Sequence, residues 1–148
     1  MLRLSFYKAK DNFSHTLIRF FTKSIFSHCE LVFSDDWCFG ADPKEGTRFM
    51  TYSNLYDKQI WCIMDLPWIS ESDELRIRKF CEQEDDLDYD WSGVILGRLN
   101  PLHNHKSKWF CSELCSSAIK PFTKGLTDFW YTPESLYRAL INIRVFNV

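Results

Sequence analysis

Apolar and polar positions alternate from the first residues: Leu2, Leu4 and Phe6 share one side of a strand predicted over residues 2–9. Asp11, Asn12 and Ser14 offer caps for a helix over about 13–23, with Leu17, Ile18, Phe20 and Phe21 as its apolar side. His15 falls in the first turn of that helix and is expected to be exposed. Residues 27–33 predict a second strand with two unlike faces: Cys29, Leu31 and Phe33 point one way, His28, Glu30 and Val32 the other. Turns at 34–36 and 43–46 separate it from strands over 37–42 and 47–52. Residues 60–66 are apolar enough to predict a central strand.

The period then changes from two to helical. Pro67 ends the strand, and Ser70 or Ser72 caps a helix reaching about Glu84, with Leu75, Ile77, Phe80 and Cys81 inward. The acidic run from Glu82 to Asp90 reads as a solvated end and loop, followed by a short helix through Val94, Ile95 and Leu96. A polar loop over 100–108 leads to a helix from Cys111 to about Lys120. Residues 121–131 look irregular and aromatic. Thr132-Pro133-Glu134 is a cap followed by Pro at the first helical position, and that helix should run to about Ile141. Ile143, Val145 and Phe146 would add a last short strand. Strand, helix, a meander of strands and then helices predict an α+β domain, with helices packed on an antiparallel sheet.

Composition fits one such domain spanning residues 1–148. Hydrophobic residues make up 45% and aromatic ones 17%, which supplies a core and argues against disorder. The net charge is −2 with no basic block, so nothing electrostatic favours nucleic acid. No run approaches the roughly 20 apolar residues of a membrane span, and residues 1–7 are too short and interrupted for a signal peptide. The six cysteines are accordingly expected to be reduced thiols in a cytosol.

The cysteine that changes the picture is Cys111. It falls in the first turn of its helix, where free backbone N–H groups and the helix dipole favour thiolate, and where the same groups can hold an oxyanion. A thiolate nucleophile needs a base, and the base an orienting acceptor. Of four histidines, His15 lies on a surface helix and His103 and His105 in a loop, whereas His28 opens a strand that holds it more rigidly. A three-residue hairpin loop at 34–36 pairs Phe33 with Trp37, Glu30 with Gly40 and His28 with Asp42, so the Asp42 carboxylate reaches the imidazole. A two-residue loop would turn Asp42 to the wrong face, leaving Glu30, two residues from His28 on the same face.

Three segments carry a family likeness: Ser27-His28-Cys29-Glu30-Leu31-Val32-Phe33, Tyr89-Asp90-Trp91, and Phe110-Cys111-Ser112-Glu113-Leu114. Together they resemble the circularly permuted branch of the NlpC/P60 papain-like cysteine hydrolases, most of all small bacteriophage and prophage proteins. Thr132-Pro133-Glu134-Ser135-Leu136 fits their C-terminal segment. The resemblance implies a permuted papain-like core that cleaves an amide, in a peptide or a peptidoglycan stem, through a thioester and without a cofactor. It places the nucleophile at Cys111, the base at His28, the orienting role at Asp42, and a substrate or oxyanion contact at Tyr89. The lack of a signal peptide is compatible with action in the cytoplasm of a bacterial host, release at lysis or packaging in a virion. Three other readings compete. His103, His105, Cys111 and Cys115 form an H-x-H…C-x3-C set suited to zinc. A phage structural or interaction module could keep the fold without chemistry. A thioester-forming acyltransferase or lipid hydrolase would use the same Cys–His pair.

Overall fold

Strand alternation at the N-terminus builds the centre of the molecule. The computed structural model describes residues 1–9, 13–52, 60–96, 107–128 and 130–146. Five strands, β1 (Arg3–Tyr7), β2 (His28–Val32), β3 (Trp37–Asp42), β4 (Gly46–Thr51) and β5 (Trp61–Asp65), form an antiparallel sheet in the order β4-β3-β2-β1-β5. Between them and after them come α1 (Phe13–Thr22), α2 (Glu71–Gln83), α3 (Trp91–Leu96), α4 (Cys111–Ile119) and α5 (Pro133–Phe146). Two short strands, β6 (Asp88–Tyr89) and β7 (Lys108–Trp109), pair in parallel and set Tyr89 beside Trp109. The architecture is α+β, as the change of period predicts.

Period-two alternation sorts the sheet into two faces. Leu4, Phe6, Cys29, Leu31, Phe39 and Met64 face the main core, shared with Leu114, Cys115, Ala118 and Ile119 of α4 and Leu136 and Leu140 of α5. Val32, Cys38 and Tyr52 form a smaller apolar cluster on the opposite side. The register places His28 opposite Tyr7 and Glu30 opposite Ser5, so both belong to that second face. Helix α4 packs on β2 and β3. Its first residue therefore meets the end of β2, where a side chain from either face is within reach.

Several expectations need correction. Among the described residues, the strand over 60–66 lies at a sheet edge and pairs with β1 alone. It is apolar because both its faces are covered, Met64 joining one cluster and Ile63 packing on the other. On α1, Ile18 is buried, but Phe20 and Phe21 are exposed and His15 is half-buried. On α2, the inward stripe is Glu74, Ile77 and Cys81, at spacings of three and four, so Leu75 is turned out and 68% exposed. Glu74 is held there by its contacts: it accepts the Ser34 backbone N–H at 2.6 Å and pairs with the N-terminal ammonium. Residues 143–146 are not a strand. Leu136, Leu140 and Ile143 continue one helical stripe against the core, and nothing breaks the helix at Ile141.

Candidate active site

Cys111 is the first residue of α4 and has no solvent exposure. Phe110 precedes it as the cap residue without a side-chain cap bond. The cap is closed from inside the helix instead, because the Glu113 carboxylate accepts the Phe110 backbone N–H. Burial, with Asp90 nearby, pushes the Glu113 carboxyl up to about 7. The sulfur thus sits among the unpaired N–H groups of a helix start.

His28, at the start of β2, is buried beside it. Its Nε2 lies 2.9 Å from Glu30 Oε1. The remaining Nδ1 is buried without a hydrogen-bond partner among the described residues, and the Cys111 sulfur lies close enough to the ring to act on its charge. Glu30 is 1% exposed and accepts a second bond, from Arg48 Nη1 at 3.1 Å. Arg48 stands on β4 opposite Gly40, and Gly40 is what lets Glu30 lie across β3: a Cβ on Gly40 would come within 2.6 Å of the Glu30 Cγ. Arg48, Glu30, His28 and Cys111 form one line of alternating charge. Trp61 and His15 flank the imidazole, with ring centroids 6.4 and 6.3 Å away.

The electrostatics follow from that line. Burial alone would strip the proton from His28, but its bonds to Cys111 and Glu30 and the charge on both raise it to about 10. Burial likewise opposes ionisation of Cys111. Hydrogen bonds from Cys29 and His28, the imidazolium charge and the Cys29 backbone N–H outweigh it and hold the thiol well below its usual range. Glu30 is held below the usual carboxylate range by His28 and Arg48, against the penalty of burial. Burial keeps the Cys29 thiol protonated, reinforced by its bonds to Cys111 and Cys115. These shifts favour the Cys111 thiolate and the His28 imidazolium over the neutral pair.

Tyr89 is a further buried polar residue in the neighbourhood of the sulfur. Its hydroxyl is buried and has no hydrogen-bond partner among the described residues. Burial and the nearby Cys111 and Cys29 sulfurs raise it well above the usual phenol range, so it stays a donor. The β6–β7 pair and the Asp90 cap of α3, whose carboxylate accepts the Gly93 N–H at 2.9 Å, fix its position.

The residues expected at the site divide as follows. Cys111, His28, Glu30 and Tyr89 come together. Asp42 does not join them. The expected register is present, with Leu31 opposite Phe39 and Val32 opposite Cys38. The Asp42 carboxylate nevertheless turns into the 43–46 turn, where its Oδ1 accepts the backbone N–H groups of Lys44 at 2.8 Å and Glu45 at 3.2 Å. Turn capping wins because those two donors are local, while Glu30 already occupies the imidazole. Cys115 points its thiol at the Cys29 carbonyl, 3.8 Å away. His103 and His105 lie outside the described residues, and among the described residues no group of three or more His, Cys, Asp or Glu is placed to hold a metal ion. Sequence reasoning missed Arg48, the Cys29 donors and the contact of His15 with His28. A glycine expected opposite a buried glutamate was the available signal that the Glu30 side chain crosses β3. A scan against protein-family models and a search of curated proteins give no match to this chain.

Proposed function

We propose that this protein is a cysteine hydrolase of the papain-like type. Its core would be a permuted version of that fold, with the base-bearing strand preceding the nucleophile-bearing helix. Its substrate class is an amide, in a peptide or a peptidoglycan stem. The observation that supports this best is the buried Arg48–Glu30–His28–Cys111 line ending in a thiol at a helix start.

In this reading the Cys111 thiolate attacks the carbonyl carbon and the π electrons move to oxygen. The oxyanion is met by backbone N–H groups at the α4 start and by the Tyr89 hydroxyl, whose proton is otherwise unused. The His28 imidazolium gives its proton to the leaving amine as the C–N bond breaks, forming a thioester and neutral imidazole. Imidazole then takes a proton from water as water attacks the thioester; collapse of the tetrahedral intermediate breaks the C–S bond, releases the carboxylic acid and leaves the Cys111 thiolate beside the imidazolium, which keeps its proton. Glu30 fixes the tautomer throughout, and Arg48 fixes Glu30.

Incubation with p-nitrophenyl acetate tests this. The expected result is a burst of nitrophenol and an acetyl group on the Cys111 peptide by mass spectrometry, absent in Cys111→Ala and suppressed in His28→Ala. Acetylation spread over other cysteines, with Cys111 unmodified and both variants unaffected, would overturn it.

A further inference from the structure

Helix α1 carries an outward apolar face that neither the sheet nor the site uses. Phe13 is 77% and Phe20 74% exposed, seven residues apart and so on one stripe of the helix. Phe21 meets Phe20 edge to face, their centroids 5.4 Å apart. Ile25, 52% exposed, extends the patch past the helix end. There it reaches α5, where Ile25 and Ile141 border one groove.

The segment itself carries charge of one sign, and the Asp42 and Glu45 carboxylates border only its first turn, at Ser14 and His15. Residues 13–29 contain Arg19 and Lys23 and no Asp or Glu, in a chain whose net charge is −2. The carboxylate bordering the groove, Glu134, is already engaged by the Arg138 guanidinium and the Ile25 backbone N–H. Protruding rings beside cations, on a short amphipathic helix, match a helix lying in the headgroup layer: rings enter the acyl boundary while cations meet lipid phosphates. A rigid protein partner would need pockets for knobs that stand free of any groove; a bilayer deforms around them.

We infer that the Phe13–Phe20–Phe21–Ile25 face of α1 binds the surface of an anionic lipid bilayer. Binding is in the interface plane and needs no crossing, and no helix among the described residues is long and apolar enough to cross a membrane. The inference does not depend on the chemistry at Cys111. It does bear on it, because the inner side of the same helix places His15 against His28.

Cosedimentation of the full chain with phosphatidylcholine vesicles, with and without phosphatidylglycerol, is the test. Wild type should pellet with the anionic vesicles and lose binding as salt rises. The double variant Phe20→Ser, Phe21→Ser should lower partitioning at least about 10-fold, and Lys23→Glu by about 5-fold or more, because each interfacial ring and each cation adds its own increment. These side chains are exposed, so thermal melts should match wild type; should the double variant fail to fold, Lys23→Glu and the salt series still decide. Three results would overturn the inference: no retention on anionic vesicles, retention indifferent to the Phe and Lys changes, or a dimer in sedimentation equilibrium that the Phe variant dissolves. The last would give the face to a second copy of the chain.

Discussion

Glu30 and Asp42 are the two carboxylates between which the sequence leaves the orienting role open, and single substitutions separate them. Glu30→Gln keeps one acceptor for His28 but removes the charge, so the imidazole loses much of its raised basicity, while Arg48 keeps its pairs with Glu45 and Asp42. Turnover should fall about 10-fold to 100-fold, and the alkaline limb of kcat/KM should move to lower pH. Asp42→Asn should leave the pH profile in place and cost about 1 kcal/mol of stability, from the weakened turn. The reverse pattern would return the role to Asp42. Tyr89→Phe discriminates in another way. Its hydroxyl is buried and unpaired among the described residues, so deleting it should raise stability, by about 1 kcal/mol, while turnover falls about 10-fold to 1000-fold. Equal loss of both would make Tyr89 a packing residue. At this scale His28 and Cys111 were legible because strand position and helix start each carry a stated chemistry. Arg48 was not, since its contact crosses a whole strand. Nor was the choice of Glu30, because correct register fixes where Asp42 stands but not where its carboxylate points.

The elements explain why so small a line of residues stays in place. β2 supplies His28 and Glu30 two residues apart on one face, β4 supplies Arg48, and β3 between them is passable only at Gly40. Gly40→Ala should therefore disable the site without touching it. The added methyl group meets the Glu30 Cγ, which is pinned at its carboxylate end by His28 and Arg48. A stability loss of about 1–3 kcal/mol is expected, with a His28 titration, followed by imidazole NMR, shifted down from about 10. An unshifted titration would show that Glu30 can give way without consequence. Element types were legible wherever apolar period was strong, as in β2 and α4. They misled where an apolar run served another purpose. β5 is apolar for two covered faces at an edge, α1 carries two phenylalanines outward, and the end of α5 is β-branched yet helical because its stripe continues.

For the whole molecule, the buried charges couple folding to pH. His28 holds its proton to about 10 when folded and to 6.5 in an ordinary environment. The stability it lends is complete below pH 6.5 and is lost as pH rises through about 10. Glu30 has the opposite sign: held below 4.5, it lends stability above that value that is lost as pH falls through its folded value. Urea unfolding across pH should show the wild-type advantage over His28→Ala shrinking toward pH 10; a constant difference would mean that His28 is not protonated in the fold. The most direct test of the central claim reads the sulfur itself. Alkylation of Cys111 by iodoacetamide, followed by peptide mass and kept where rate is linear in reagent, reports the thiolate fraction at each pH. For a thiolate–imidazolium pair the wild-type rate should be nearly flat from about pH 6 to 9, while His28→Ala should climb about tenfold per pH unit below the ordinary thiol range. A wild-type rate that climbs in the same way as the variant would contradict the account, leaving Cys111 an ordinary buried thiol.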